Sequence, residues 1–279
     1  MDTIPRAGAT LRGYSAGTPG SPAVVLASAC GMPAGLCEPW MRELARDHHV
    51  VTWETRGLFG DLGDGAGFDA LPTDVDAQAA DLLAVMDHYG LPSAHLMGLC
   101  GGAVIALRAA SGRPGRFGSL SLWHGDWSGS PGPVTDHQDN LRALLGMAVQ
   151  GREDAAMINS ALAESTRAGL PAEIADLVFH PYTTDELFYR YSALTLPTMT
   201  EDSTPALAAL RTMPALVVTS EDDRTAHPDG SHLVAAALPG AVLRVEPTGD
   251  HLSVFGAGPR LRRILADFLA GTAPLTPQV

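Results

Sequence analysis

A run of small residues around one cysteine constrains this chain more than any other feature. Residues 98–102 read GLCGG; an apolar segment precedes them, and an Ala- and Leu-rich segment with helical spacing follows to about Ser111. A strand that turns at once into a helix holds the residue at the turn in a strained conformation, so its neighbours must lack bulk. The run, which we call the elbow, therefore predicts a strand–turn–helix unit that exposes Cys100.

The elbow fits the nucleophile motif G-x-S-x-G, with cysteine in the position of serine. In this geometry the N–H of Gly101 points at an oxyanion that develops on a substrate, and the helix N-terminus favours a thiolate at Cys100. The alternative is a Gly-rich turn that carries a buried structural cysteine. The residues that follow later in the chain favour the nucleophile.

A carboxylate and a histidine follow the elbow in the order nucleophile, acid, base. Asp223 comes shortly after the apolar run 215–219, and His251 follows the next predicted strand, 241–245. Because parallel strands end at the same edge of a sheet, we expect both side chains beside Cys100.

This order predicts a triad in which Asp223 orients His251 and His251 moves the proton of the nucleophile. Asp222 is a second candidate for the acid, and Asp250 is more typical of a turn residue. Any of these carboxylates could instead serve only a turn or a helix cap. The triad therefore depends on the elbow and the spacing together.

Apolar strands alternate with helical patterns, which predicts an α/β fold: a mostly parallel, twisted sheet with helices on both faces. Between residues 128 and 204 amphipathic helical stretches replace the strands. We predict a core formed by residues 1–127 and 205–279, with an inserted helical lid formed by residues 128–204. The other predicted strands are 10–14, 23–27, 49–53 and 120–123, and the predicted helices are 36–46, 73–89 (N-cap Thr73), 136–150, 153–167, 171–179, 184–195, 231–238 and 259–270.

The elbow, the acid and histidine segments and the lid resemble the α/β-hydrolase fold over nearly the whole chain. That resemblance implies a second oxyanion donor in the loop after the first long strand. Most relatives have His-Gly there, whereas this chain has Ser28-Ala29, so the donor becomes the N–H of Cys30 or Ala29. The chain also departs from the usual Asp-x-Arg-Gly-x-Gly-x-Ser, since residues 54–61 read ETRGLFGD. Cysteine nucleophiles do occur in this fold, as in dienelactone hydrolases and some polyketide-releasing thioesterases.

Three short stretches carry a closer resemblance. Residues 29–33 (ACGMP), 37–40 (CEPW) and 53–60 (WETRGLFG) resemble the enzymes of tetronate and spirotetronate antibiotic pathways that eliminate acetic acid to leave an exocyclic methylene. This resemblance implies a carbon–oxygen lyase that acts on a polyketide-type small molecule. His251, held by Asp223, would remove the ring proton, and the role of the elbow cysteine stays open.

The same residues also suit acyl transfer. Cys100 would then attack an ester or a carrier-bound polyketide thioester, and His251 would take and return the proton. A non-catalytic binding module on this fold is a third alternative, since fold does not fix function. The presence of nucleophile, acid and base together disfavours it.

Aromatic residues of the lid and polar residues after a strand form the candidate substrate pocket. His124 either contacts substrate or is a hydrogen-bonded structural histidine, and Arg56 is expected to brace its loop by pairing with a carboxylate. Many of the lid residues could simply pack its helices together. The candidate pocket residues are His124, Trp127, Tyr182 and Tyr189, within a wider lid set of Met147, Met157, Ile158, Leu162, Phe179, Phe188 and Tyr191.

Composition excludes several classes of function. The net charge of −13 argues against a nucleic-acid partner, and the absence of lysine excludes Schiff-base chemistry. No apolar run has transmembrane length, and an odd set of three cysteines favours a reducing, cytoplasmic location over a disulfide framework. The elbow lacks G-x-G-x-x-G, and no cluster has metal-ligand spacing, so we expect no cofactor and no metal. Residue patterns leave a homodimer open.

Overall fold

Eight strands form one sheet in the computed structural model, which describes residues 1–6, 8–60, 62–63 and 65–272. The strands are β1 (Asp2–Arg6), β2 (Ala9–Ala16), β3 (Ala23–Ala27), β4 (His49–Trp53), β5 (Ala94–Leu99), β6 (Phe117–Trp123), β7 (Ala215–Ser220) and β8 (Val242–Glu246). Their order is β1-β2-β4-β3-β5-β6-β7-β8. Strand β2 is antiparallel to both neighbours, and all pairs from β4 to β8 are parallel.

Helices cover both faces of this sheet, so the predicted architecture is confirmed. They are α1 (Glu38–Leu44), α2 (Gly65–Asp69), α3 (Val75–His88), α4 (Gly101–Gly112), α5 (Asp136–Ala148), α6 (Arg152–Ala168), α7 (Ala175–Val178), α8 (Asp185–Thr200), α9 (Thr204–Ala209), α10 (Pro228–Ala237) and α11 (Pro259–Gly271). Apolar residues of α3, α4, α9 and α10 pack on one face, and those of α1 and α11 pack on the other. Among the described residues, no helix combines the length and the apolar character needed to cross a membrane.

Central position in the sheet explains the continuous apolar runs. Strand β5 is buried at every residue; Leu96 contributes to one core, while Met97 and Leu99 contribute to the other. Its parallel pairing with β3 matches Ala27 with Gly98. This register brings the loop after β3 beside the elbow, as a two-donor oxyanion site requires.

Two local features differ from the sequence-based expectations. Strand β1 was not predicted: it is an edge strand in which only Ile4 is buried, and an edge position tolerates Pro5. Helix α3 is capped by Asp74 and not by Thr73, because the Asp74 carboxylate accepts a hydrogen bond from the N–H of Ala77 at 2.7 Å.

The connection between β6 and β7 carries helices α5 to α8, and all four fall within the span predicted as a lid. Thr135 and Gln138 form a capping box at the start of α5. Helix α8 packs against α5 and α6 and also reaches α4, which begins at the elbow. The insertion therefore lies over the carboxyl end of β5.

A buried ion pair braces the loop after β4. The Arg56 guanidinium donates to both carboxylate oxygens of Asp81, at 2.6 and 2.5 Å, and also to the carbonyls of Pro72 and Ala77. Arg6 adds a third hydrogen bond to Asp81 at 2.9 Å. The expected bracing role of Arg56 thus has a defined partner on α3.

The variant Asp81→Asn leaves the buried Arg56 charge without its carboxylate, so we expect unfolding free energy to fall by about 3–5 kcal/mol. A matched control is Asp176→Asn, whose partner Arg167 lies in an exposed pair, and we expect it to cost under about 1 kcal/mol. Urea unfolding followed by circular dichroism measures both. Equal, small losses would contradict a structural role for the Arg56–Asp81 pair.

A buried histidine on β5 is hydrogen-bonded to two serines of β6. Both ring nitrogens of His95 are 2.8 Å from serine hydroxyls, those of Ser119 and Ser121. Burial, with a smaller contribution from the charge of His48, lowers the pKa of His95 to about 3. The folded chain therefore keeps this ring neutral at pH values where an unfolded chain protonates it.

Because an unfolded histidine has a pKa of about 6.5, the unfolded state binds one more proton at this residue between roughly pH 6.5 and pH 3. The stability contributed by neutral His95 is complete above that window and is lost as pH falls through it, at up to about 1.4 kcal/mol per pH unit. His95→Gln should therefore flatten the decline of unfolding free energy between pH 7 and 4.5. His232→Gln, at an exposed position, should leave that slope unchanged; equal slopes in all three proteins would refute the assignment.

Candidate active site

The elbow adopts the predicted strained turn. Cys100 lies between the end of β5 and the start of α4 with φ 53° and ψ −128°, a region that residues other than glycine rarely adopt. A Cβ on Gly98 would lie 2.6 Å from the Cα of Ala103, and one on Gly102 would lie 2.2 Å from the carbonyl oxygen of Ala27. Both glycines are therefore required, and the Cys100 side chain is left partly exposed.

Asp223 and His251 meet at the same edge of the sheet. The Nδ1–H of His251 donates to Oδ2 of Asp223 at 3.0 Å, and both residues are buried. Asp222 is exposed, so it does not take the place of the acid. Asp250 caps the short helical turn that begins at His251 by accepting from the N–H of Ser253, which agrees with the expected turn role.

Four donors surround the Asp223 carboxylate. The N–H groups of Thr225 and Ala226 bind Oδ1 at 2.9 and 3.0 Å, while His251 and His124 both bind Oδ2. Burial raises the pKa of a carboxyl group, but the hydrogen bonds from His124 and His251 outweigh it, so the pKa of Asp223 lies below its ordinary value. The acid is held as a carboxylate.

His251 faces the elbow with its other nitrogen. Burial lowers its pKa, but negative charge on Cys100 and the hydrogen bond to Asp223 prevail and hold the pKa of His251 well above its ordinary value. The Nε2 atom is buried and forms no well-aligned hydrogen bond within the described part of the chain. This arrangement favours an imidazolium at His251 and leaves its Nε2 available for proton transfer.

Backbone donors flank Cys100. The nitrogen of Cys30 lies 4.0 Å from where a Cβ on Gly101 would be, and its N–H donates no hydrogen bond to another described residue. The Gly101 N–H starts α4, where the first turn leaves its N–H groups unpaired. Of the two predicted alternatives for the second donor, Cys30 and Ala29, this short distance to Gly101 favours the N–H of Cys30.

The other two cysteines are unsuited to nucleophilic chemistry. Cys30 and Cys37 are buried, and burial raises the pKa of each thiol to about 12. The Cys30 thiol donates to Oε1 of Gln78 at 3.5 Å, and the Gln78 amide in turn donates to the carbonyl of Leu194 on α8. Sequence reasoning missed Gln78; the available clue was a polar residue on the apolar face of α3.

Only part of the predicted pocket lies near Cys100. Tyr191 is buried against Gly31. Burial is the main cause of the raised pKa of its hydroxyl, and the charges of Tyr182, Cys30 and Cys100 raise it further. The ring of Tyr182 lies 5.9 Å from that of Tyr191. These two tyrosines form an aromatic wall beside the elbow. Tyr182 was among the four candidate pocket residues, and Tyr191 belonged to the wider lid set.

Three predicted pocket residues lie elsewhere. Trp127 packs under α10 and donates to the hydroxyl of Ser231 at 3.2 Å, because the chain turns away from the site after β6. Tyr189 points to the outer side of α8, where the Arg152 guanidinium stacks on its ring at 4.4 Å. His124 is almost fully buried and binds Asp223 and not a pocket. Met147 and Met157 of the wider set are exposed.

His124, Asp223 and His251 also place ligand-type atoms within 4.8 Å of one another. Spacing along the chain gave no sign of this cluster, because three separate loops supply it. The two N–O distances of 2.8 and 3.0 Å are those of hydrogen bonds, with a proton in each, so hydrogen bonding explains the arrangement without a metal.

Comparison with known proteins places the chain in a family. Residues 24–261 match the profile described as "Alpha/beta hydrolase family". A putative carbamate hydrolase, RutD, from Pseudomonas savastanoi pv. phaseolicola is 30% identical over 261 residues, covering 89% of this chain and 94% of that protein. Its counterpart from Klebsiella pneumoniae strain 342 is 28% identical and covers 94% and 96%.

Solved structures agree in fold. A hydrolase from Pseudomonas aeruginosa PA01 superposes with a TM-score of 0.73 at 20% identity, covering 97% of this chain and 98% of that one. The enol-lactonase from Burkholderia xenovorans LB400 has a TM-score of 0.73 at 19% identity, with coverages of 96% and 100%. The expected closer resemblance to acetate-eliminating tetronate enzymes receives no support from these relatives, whose descriptions are those of hydrolases and a lactonase. The fold, the elbow and the match over most of its length establish that this chain belongs to the alpha/beta hydrolase family.

Proposed function

We propose that this protein is a cysteine-dependent hydrolase that cleaves an ester or thioester of a small acyl substrate through Cys100. The observation that carries the proposal is the position of Cys100 at the strained elbow, opposite an imidazole that is held by a buried carboxylate. The hydrolase descriptions of its relatives support the same reaction class.

In the first half-reaction the Cys100 sulfur attacks the substrate carbonyl carbon. The developing oxyanion accepts hydrogen bonds from the N–H groups of Cys30 and Gly101, which need no other partner within the fold. As the tetrahedral intermediate collapses, His251 gives its Nε2 proton to the departing alcohol or thiol, and an S-acyl enzyme remains.

In the second half-reaction His251 removes a proton from water at Nε2, and the hydroxide attacks the acyl carbon. The intermediate expels the Cys100 thiolate, so the carboxylic acid leaves and the imidazolium is restored. Asp223 remains ionised throughout, because its two oxygens hold four donors. The aromatic wall of Tyr182 and Tyr191 favours an apolar acyl group.

The same geometry supports acetate elimination less well than hydrolysis. Elimination needs His251 as a base but gives the strained elbow, the thiolate and the two opposed N–H donors no necessary part. A nucleophile held in this conformation is better explained by attack on a carbonyl carbon.

Iodoacetamide should label Cys100 much faster than Cys30 or Cys37, because those two thiols are buried with pKa values of about 12. His251→Gln removes the facing imidazolium, so labelling of Cys100 near pH 6 should slow about tenfold or more. Peptide mass spectrometry resolves the three sites, and His232→Gln is the matched exposed control. Unaltered labelling in the His251 variant would rule out the ion pair.

The reaction itself is tested in oxygen-18 water with p-nitrophenyl esters, acyl thioesters, a carbamate and an acetoxymethyl tetronate analogue. We expect labelled acid, an acyl adduct on Cys100, and a loss of roughly 10³-fold or more in Cys100→Ala. Unlabelled acetate together with an exocyclic alkene would show elimination in place of hydrolysis. Full activity of Cys100→Ala would exclude the acyl-enzyme.

A further inference from the structure

Asp223 holds two imidazoles, although the proposed mechanism uses only one. Its Oδ2 atom accepts from Nδ1–H of His251 at 3.0 Å and from Nδ1–H of His124 at 2.8 Å. The two rings are 5.9 Å apart and nearly perpendicular. His124 is 1% exposed, so it contacts no bulk solvent and has a defined partner that is itself part of the site.

Anchoring the carboxylate does not require His124. The N–H groups of Thr225 and Ala226 already fix Oδ1, and His251 alone would orient Oδ2. The additional donor therefore does something else: it divides the hydrogen-bonding capacity of one oxygen between two rings. A carboxylate oxygen shared in this way binds the proton of each ring less strongly than an unshared one.

The backbone around His124 is adapted to this contact. Its φ of 46° lies in the left-handed region, which few residues other than glycine occupy, although histidine, asparagine and aspartate do so more often than most. The N–H of His124 donates to the carbonyl of Val218 on β7 at 2.8 Å, which ties the end of β6 to the strand that leads to Asp223. The surrounding structure thus enforces a conformation that aims the ring at Oδ2.

We propose that His124 is a positioning residue that shares Oδ2 of Asp223 with His251, so that the imidazolium of His251 releases its Nε2 proton readily to the leaving group. This inference rests on the proposed function, because it concerns the acid–base step of that reaction. His124 acts through Asp223 and does not touch substrate.

Other titratable groups face His124, Asp223 and His251, and substitutions of His124 leave those groups in place. Cys100 faces His251 from the turn before α4, and His137 on α5 interacts electrostatically with His251, Asp223 and Asp126. Burial keeps the pKa of His137 below its ordinary value, so that ring stays neutral near pH 7. Differences between variants at His124 can therefore be assigned to the Asp223 hydrogen bond.

The test compares His124→Asn with His124→Ala. Asparagine tolerates the left-handed conformation and places an amide N–H near the position of Nδ1, whereas alanine has no donor. Ring nitrogen shifts of 15N-labelled histidine, assigned with His251→Gln, give the pKa of His251 without any substrate. We expect His124→Ala to raise that pKa by about one unit and to lower kcat for ester hydrolysis about tenfold with KM within about twofold. His124→Asn should restore both toward the wild type.

If His124→Ala does not fold, His124→Gly, which fits the positive φ, takes its place. An unchanged pKa of His251 in the donor-free variant overturns the role of His124, whatever the enzyme hydrolyses. Equal losses in the asparagine and alanine variants, with matching falls in thermal midpoint, also overturn it, since they indicate packing only. A shifted pKa with no hydrolysis of any ester or thioester supports the shared oxygen and instead refutes the proposed function.

Discussion

The close approach of the elbow to the end of β3 is the constraint on which the site depends. Gly102 packs so tightly against the carbonyls of Ala27 and Ser28 that no side chain fits between them. This contact holds α4 against the sheet and fixes the loop that carries Cys30. With the helix this close, the N–H groups of Cys30 and Gly101 flank the cysteine at the turn. Enlarging Gly98 or Gly102 would therefore separate these N–H groups and distort the turn at Cys100.

Buried charge is the second organising feature. The carboxylates of Asp223 and Asp81 are both almost inaccessible, and each is surrounded by donors that offset the cost of desolvation. The two networks differ in their partners. Asp81 binds the permanently charged Arg56, which suits a brace, whereas Asp223 binds imidazoles, whose protons can leave. The same principle of burial thus produces a rigid loop in one place and a titratable pair in another.

The insertion between β6 and β7 completes the environment of Cys100. Helix α8 contributes Tyr191 to the aromatic wall beside the elbow. Its Leu194 carbonyl accepts a hydrogen bond from the Gln78 amide, whose oxygen accepts one from the Cys30 thiol. The loop after β3 therefore contacts the insertion both through the buried amide of Gln78 and through the packing of Tyr191 on Gly31. The insertion thus reaches the site from one side, whereas Cys100, Asp223 and His251 all follow strands of the sheet.

The sequence by itself determined the parallel α/β sheet, the elbow, and Asp223 and His251 as partners, because those features follow from local patterns: apolar runs of strand length, glycines where bulk is forbidden, and polar residues where strands end. It did not determine which residues around them would meet. Trp127 and Tyr189 were placed in the pocket on chain position, yet side-chain direction turned both away, and the roles of Gln78 and His124 depended on contacts between segments 48 and 99 residues apart. The sequence predicts which residues follow the ends of strands, but only three-dimensional packing decides which donor faces which acceptor. Hydrogen bonds act over about 3 Å, and the sequence does not set the distance between residues that are remote in the chain.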